Sequence, residues 1–185
     1  MLSRVHHQLE ILLWFEDFFQ TNKTPFITKW HEEDNQWTYY TPEESILIEN
    51  TDVNAILRVG STVYFGTMFG LLYLDLYNQN WNLISTTKGL NDAAVWDIIE
   101  HDGSIYVATA RGINEISIIN HSLIPDKDER FKPLSRFNIY DVAADSEFIY
   151  LATDAGLLKM DWEDGCFTTL SKKEFRKIKL AENSI

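Results

Sequence analysis

Thr67, Thr109 and Thr153 recur at one position of a repeated phrase, and Asp97 and Asp141 recur nine residues before the tyrosines of that phrase. Hydroxyls and carboxylates repeated in this way could build a polar ring. The symmetry is broken, however, because Ala55 holds the carboxylate position in the first clear copy. Each threonine is therefore expected to satisfy a neighbouring strand or the aspartate of its own copy, since buried polar groups need partners. No Gly-x-Ser-x-Gly elbow, phosphate-binding loop or dinucleotide fingerprint occurs in the chain. His6 and His7 are adjacent and would point to opposite faces of a strand, so they cannot chelate one ion. The acidic stretches 31–35 and 161–165 lack the spacing of a calcium loop and read as solvated hairpin tips. Cys166 has neither a basic pair nor a second cysteine nearby, so no lowered thiol pKa is expected. No catalytic residue, metal ligand or cofactor is assigned.

The side chains best placed to touch a ligand lie inside the repeated frame. The three copies run Tyr64 to Gly70, Tyr106 to Gly112 and Tyr150 to Gly156, 42 and then 44 residues apart. The tyrosine, the threonine and the closing glycines Gly70, Gly112 and Gly156 are constant and read as structural, the glycines serving a tight turn with positive φ. The two residues before each glycine change: Met68-Phe69, Ala110-Arg111 and Asp154-Ala155. A turn that varies within a fixed frame is where a repeat protein presents different chemistry around one opening. Phe69 could stack on an apolar ring face, Arg111 could hold a carboxylate or sugar hydroxyl, and Asp154 could accept hydrogen bonds. Met68 belongs to the same set. Trp96 either lines that opening or packs between repeats.

The elements that position these turns follow from the period. A repeat of 40–45 residues is a β-propeller blade, a small sheet that must be covered by its neighbours. Val53, Val95 and Ile139, with Ile56, Ile98 and Val142, mark inner strands. Second strands are expected over 62–66, 104–108 and 148–152, third strands over 71–76, 113–118 and 157–162, and outer strands near Trp81, Phe131 and Phe167. Residues 26–30 and 37–41 repeat the third-to-outer-strand pattern, and this makes residues 1–45 a degenerate first blade with Trp14 at the tyrosine position and an enlarged connection over 18–25. The fold class expected is all-β: about four blades of four antiparallel strands at 1–45, 46–88, 89–134 and 135–170, then a tail over 171–185, forming one domain as a four-bladed ring or half of a larger one.

Residues 88–99 and 102–113, with Tyr64-Phe65-Gly66-Thr67-Met68-Phe69-Gly70-Leu71, resemble the two-component regulator propeller repeat. Its pattern is Gly-Leu, an apolar strand, Asp-Gly, and an aromatic strand ending in Gly-Thr-x-x-Gly-Leu. Ala108 and Ala152 replace the glycine before threonine, and tyrosine stands where the family has tryptophan. The resemblance covers about residues 50–170. It implies a sensor or recognition propeller of the kind that often forms the periplasmic part of bacterial membrane sensors.

The bulk properties narrow the partners. With 28 acidic against 16 basic residues the net charge is −12, which disfavours nucleic acid. Glu10 and Glu16 interrupt the first apolar stretch, so no signal peptide is visible, and no apolar run is long enough to span a membrane. A periplasmic location follows only if the chain is part of a sensor. Four open-ended blades would expose apolar faces, so the partner expected is a second copy completing a ring or the remainder of a longer propeller. The functions considered are a noncatalytic recognition or sensory module for a glycan, small solute or peptide bound at the channel mouth, a self-associating protein–protein scaffold, and, more remotely, a propeller hydrolase or lyase.

Overall fold

The computed structural model describes residues 27–31, 34–40, 52–126 and 129–180. Residues 1–26, with Trp14 and the connection over 18–25, lie outside them. Strands β1 (Ile27–His31) and β2 (Gln36–Tyr40) form a hairpin. A four-stranded antiparallel sheet follows in the order β3 (Val53–Val59), β4 (Thr62–Thr67), β5 (Gly70–Asp75), β6 (Asn80–Ile84). The next holds β7 (Val95–His101), β8 (Ser104–Thr109) and β9 (Gly112–Ser117), and the last β10 (Ile139–Ala144), β11 (Phe148–Thr153), β12 (Gly156–Asp161) and β13 (Phe167–Ser171).

The strands expected over 53–171 are in place with one correction. Among the described residues no outer strand forms near Phe131, and the third sheet has three strands. The described residues of 118–126 and 129–138 make instead a bridge from Leu123 to Ile116 and a short 3₁₀ helix, Lys132–Arg136. Pro133 lacks the N–H that a ladder position requires, and the Asp126 carboxylate accepts the N–H groups of Arg130 and Phe131 and bends the chain inward. Phe131 and Leu134 are then buried in the core, where Phe131 meets the edge of the Tyr106 ring at 5.9 Å. The hairpin β1–β2 is the pattern expected over 26–41.

The cores lie between sheets, because strand alternation sends successive side chains to opposite faces. Val63 and Phe65 face the first sheet with Ile27, Tyr40 and Leu72, while Tyr64 faces the third with Leu71, Val95 and Ile105. In the third sheet Ile105 and Val107 look back, and Tyr106 and Ile113 look forward to Ile149, Leu151 and Met160. Burying one such aliphatic or aromatic side chain is worth roughly 1.5–3 kcal/mol, so each sheet depends on the next for its stability.

Polar contacts pin the same seams at both ends. Toward the outside, the buried Tyr64 hydroxyl bonds His121 Nδ1 at 2.6 Å, and burial pushes its pKa up to about 12. His101 stacks on Trp162 at 4.4 Å. Toward the inside, Asn54 Nδ2 donates to the Val95 carbonyl at 2.8 Å, and the Val142 N–H donates to Asp97 Oδ2 at 2.9 Å. Asp141, buried, accepts from Lys177 Nζ at 3.0 Å and from the Ile178 N–H of the tail.

Burial, helped by the charge of Asp141, pushes the Asp97 carboxyl up to about 7 against the pull of the Val142 N–H and of Lys177. Between its ordinary value of 3.8 and about 7, the folded chain holds a proton there that the unfolded chain has released. The stability contributed at this site is thus greatest at the acid end of the window and is lost as pH rises through about 7. Asp97→Asn keeps an oxygen for Val142 and leaves Asp141 and Lys177, the charged groups facing it, unchanged. Its urea midpoint should vary less between about pH 5 and about pH 8 than that of the wild type, and an equal slope in both would refute this assignment.

Candidate functional site

The rim is built on the three Thr-x-x-Gly turns. Thr67, Thr109 and Thr153 donate through Oγ1 to the carbonyls of Gly70, Gly112 and Gly156 at 2.8, 2.9 and 2.7 Å. The same hydroxyls accept the N–H groups of Phe69, Arg111 and Ala155. Each buried threonine therefore closes its own turn, and the aspartates expected as its partners serve the seams instead. A Cβ on Gly156, whose φ is +135°, would sit 2.0 Å from the Ser171 carbonyl oxygen, so only glycine fits where the turn passes under the end of β13.

A second feature recurs at this rim. Each inner strand carries a register shift after its first residue, between Val53 and Ala55, Val95 and Asp97, and Ile139 and Asp141. The extra residues are Asn54, Trp96 and Tyr140. A bulge re-aims its side chain, and here it does so beside the turns, because Val53, Val95 and Ile139 pair with Thr67, Thr109 and Thr153.

Met68, Phe69, Arg111, Asp154 and Trp96 thus lie along one edge of the stacked sheets, each held by its own surroundings. Met68 and Phe69 are 37% and 59% exposed, and Asn54 Nδ2 reaches the Met68 sulfur at 3.6 Å. The largely exposed Arg111 has its Nε 3.5 Å from Asp92 Oδ2. Asp154 Oδ1 accepts the Asn138 N–H at 3.1 Å. Trp96 packs between sheets, against the edge of Tyr140 at 6.0 Å. Its indole N–H and the Asn138 amide oxygen are shielded from solvent and meet no hydrogen-bond partner among the described residues. Asn54, Asp92 and Asn138 were not singled out from sequence, although Asn54 shares a repeat position with Trp96 and Tyr140 that could have revealed it.

Elsewhere, an open groove of about 450 Å³ lies beside β9, where the third sheet lacks its outer strand; Asn91, Glu115, Phe131 and Lys132 line it, and no rim residue does. Cys166 is exposed, and a hydrogen bond with Asp164 holds its thiol above the ordinary value.

No family model and no curated protein matches this sequence. Solved structures do. The extracellular domain of the hybrid two-component system BT4673 of B. thetaiotaomicron superposes with a TM-score of 0.65 at 16% identity, over 93% of this chain and 22% of that one. That of BT3049, from the same organism, gives 0.60 at 18% identity, over 90% and 22%. The β-propeller domain of Cps50 (Swd1) from Myceliophteria thermophila gives 0.55 at 16% identity, over 92% and 59%. The fold is that of a β-propeller. The sheets described are part of such a ring, and the resemblance to two-component regulator propellers holds at the level of fold. The chain spans about a fifth of the length of those sensor domains. No helix among the described residues is long and apolar enough to cross a membrane.

If the threonine hydroxyl frames the turn, Thr109→Val should lower stability by about 1–2 kcal/mol through two lost hydrogen bonds at a buried site, while Thr109→Ser should recover most of it. Equal losses for Val and Ser in urea unfolding would assign the role to packing by the methyl group.

Proposed function

We propose that this chain is a noncatalytic recognition module of sensory type, which binds a small polar ligand, foremost a glycan, at the rim formed by the Thr-x-x-Gly turns and the bulges beside them. The observation that carries the reading is the contrast within the rim: one hydrogen-bonded frame repeated three times, carrying Met68-Phe69, Ala110-Arg111 and Asp154-Ala155. Phe69 offers an exposed ring face for stacking and Arg111 charged donors. A sugar, which has an apolar ring face and alternating donors and acceptors, suits that combination. The structural neighbours support a sensory role and a location outside the cytoplasm, being extracellular domains of two-component systems. The noncatalytic reading is supported by the state of the rim acids, since Asp154 caps a backbone N–H and Asp92 pairs with Arg111.

A second reading, self-association as a protein–protein scaffold, is favoured by the far face of the first sheet. There Trp30 and Trp37 stack at 5.9 Å, and Trp37 and Tyr39 are 39% and 52% exposed. It is compatible with the first, because the rim and the sheet faces are different surfaces.

A glycan array followed by tryptophan fluorescence titration tests the recognition reading. Phe69→Ala and Arg111→Ala should each weaken binding of the selected glycan at least about tenfold without shifting the melting temperature, since both side chains are exposed. Wild-type affinity in both variants would move the ligand away from the rim.

A further inference from the structure

The seam between the third and fourth sheets brings two carboxylates and one ammonium together. Asp97 of β7 accepts the Val142 N–H through Oδ2 at 2.9 Å, while Asp141 of β10 accepts from Lys177 Nζ at 3.0 Å and from the Ile178 N–H. The peptide unit that joins Asp141 to Val142 is the one whose N–H Asp97 takes. Both acids therefore bear on the same short stretch of β10. Asp141 is 4% exposed and Asp97 is half-buried, so neither is freely hydrated.

The other elements packed against Asp97 bring no charge to it. β8 sets Ala108 opposite, and β3 carries Ala55 at the corresponding position and makes its own seam bond with the neutral Asn54 amide. Arg176, next to Lys177, is engaged with Glu174 at 2.7 Å and lies 4.6 Å from the Tyr140 ring. Among the described residues, the charged groups that act on Asp97 are thus Asp141 and Lys177.

Two acids withdrawn from water against one ammonium leave the seam one positive charge short. Like charges held close in such a place are not both ionised without cost, and the missing charge is most simply a proton. Asp141 already has the ammonium and an N–H of the same segment, so the proton falls to Asp97.

We propose that Asp97, Asp141 and Lys177 form one charge-coupled switch in this seam. With the proton on Asp97 the seam is electrically balanced, and Lys177 serves Asp141 alone. Once the proton leaves, Lys177 becomes the countercharge for both carboxylates. A rise in pH therefore weakens the direct contact of β7 with β10 and transfers part of the hold to residues 175–178, whose Phe175 N–H is bonded to the Thr153 carbonyl at 3.2 Å. Lys177 stays charged throughout: desolvation pulls its ammonium down, but the bond to Asp141 and the charges of Asp141 and Asp97 outweigh this and hold it above its ordinary value. The inference rests on these contacts and on neither the recognition nor the self-association reading.

A carbon-13 NMR titration of the side-chain carboxyls in the full chain reads Asp97 directly. Its midpoint should rise by roughly half a pH unit in Lys177→Met, which keeps an aliphatic stem and loses the charge. In Asp141→Asn it should fall, because the charge of Asp141 acts on Asp97 more strongly than that of Lys177. Urea unfolding reads the consequence. The drop in midpoint caused by Lys177→Met should be clearly larger at about pH 8.5 than at about pH 5.5, and in an Asp97→Asn background it should be the same at both. An Asp97 midpoint unmoved by Lys177→Met would overturn the proposal. So would a drop that is equal at the two pH values in the wild-type background, the result expected if Lys177 acts by packing alone. The Lys177 side chain is 75% exposed, so its variant should keep the fold, and it decides the matter even if Asp141→Asn does not fold.

Discussion

The second and third sheets of this protein are apolar on both faces, and much else in the structure follows from the need to cover the second one. An antiparallel sheet with one solvated face alternates apolar and polar residues, whereas β4 is buried along its whole length, Thr62 to Thr67. The consequence is three cores that lie in the seams between sheets. A repeat of this kind has little stability of its own and draws it from its neighbours, as in other stacked repeats.

Apolar contact between two twisted sheets does not fix how they slide past one another. Fixing that is the work of the polar groups. Near the axis the seam is set by a side chain of one inner strand and the backbone of the next, Asn54 with Val95 and Asp97 with Val142. Farther out it is set by rings, Tyr64 with His121 and His101 with Trp162. Gly66 tightens one seam further, because a Cβ there would meet Val95 Cγ1 at 2.7 Å, and alanine fills the same position in the next two sheets. A carboxylate inside such a seam is held away from water, and Asp97 is therefore protonated far above the usual range of an aspartate.

The rim shows how the fold separates its structural positions from those left open to a ligand. The threonine hydroxyl satisfies both the glycine carbonyl and the N–H two residues on, so the turn closes with its own atoms. The side chains of its two tip residues are then not needed to close the turn, and they differ in every repeat. The bulge at the start of each inner strand adds one more variable side chain to the same edge.

Much of this was legible in the sequence, because a phrase repeated at 42 and 44 residues can only be one supersecondary unit, and alternation within it fixes which residues face the seams. The strands, the turns and the hairpin of β1 and β2 followed from these local rules. What depended on groups distant in the chain did not. Among the described residues the outer strand expected near Phe131 is absent because the seam offered that ring a buried place and Pro133 could not serve a ladder, a choice made by packing. Asp97 and Asp141 stood out by their spacing, but spacing could not say that their partners are the N–H groups of the next strand and of the tail. The sequence by itself determined the unit and its frame, since both rest on interactions a few residues long. Only the tertiary structure decided how one unit is fastened to the next, because a backbone N–H carries no mark in the sequence of the side chain that will meet it.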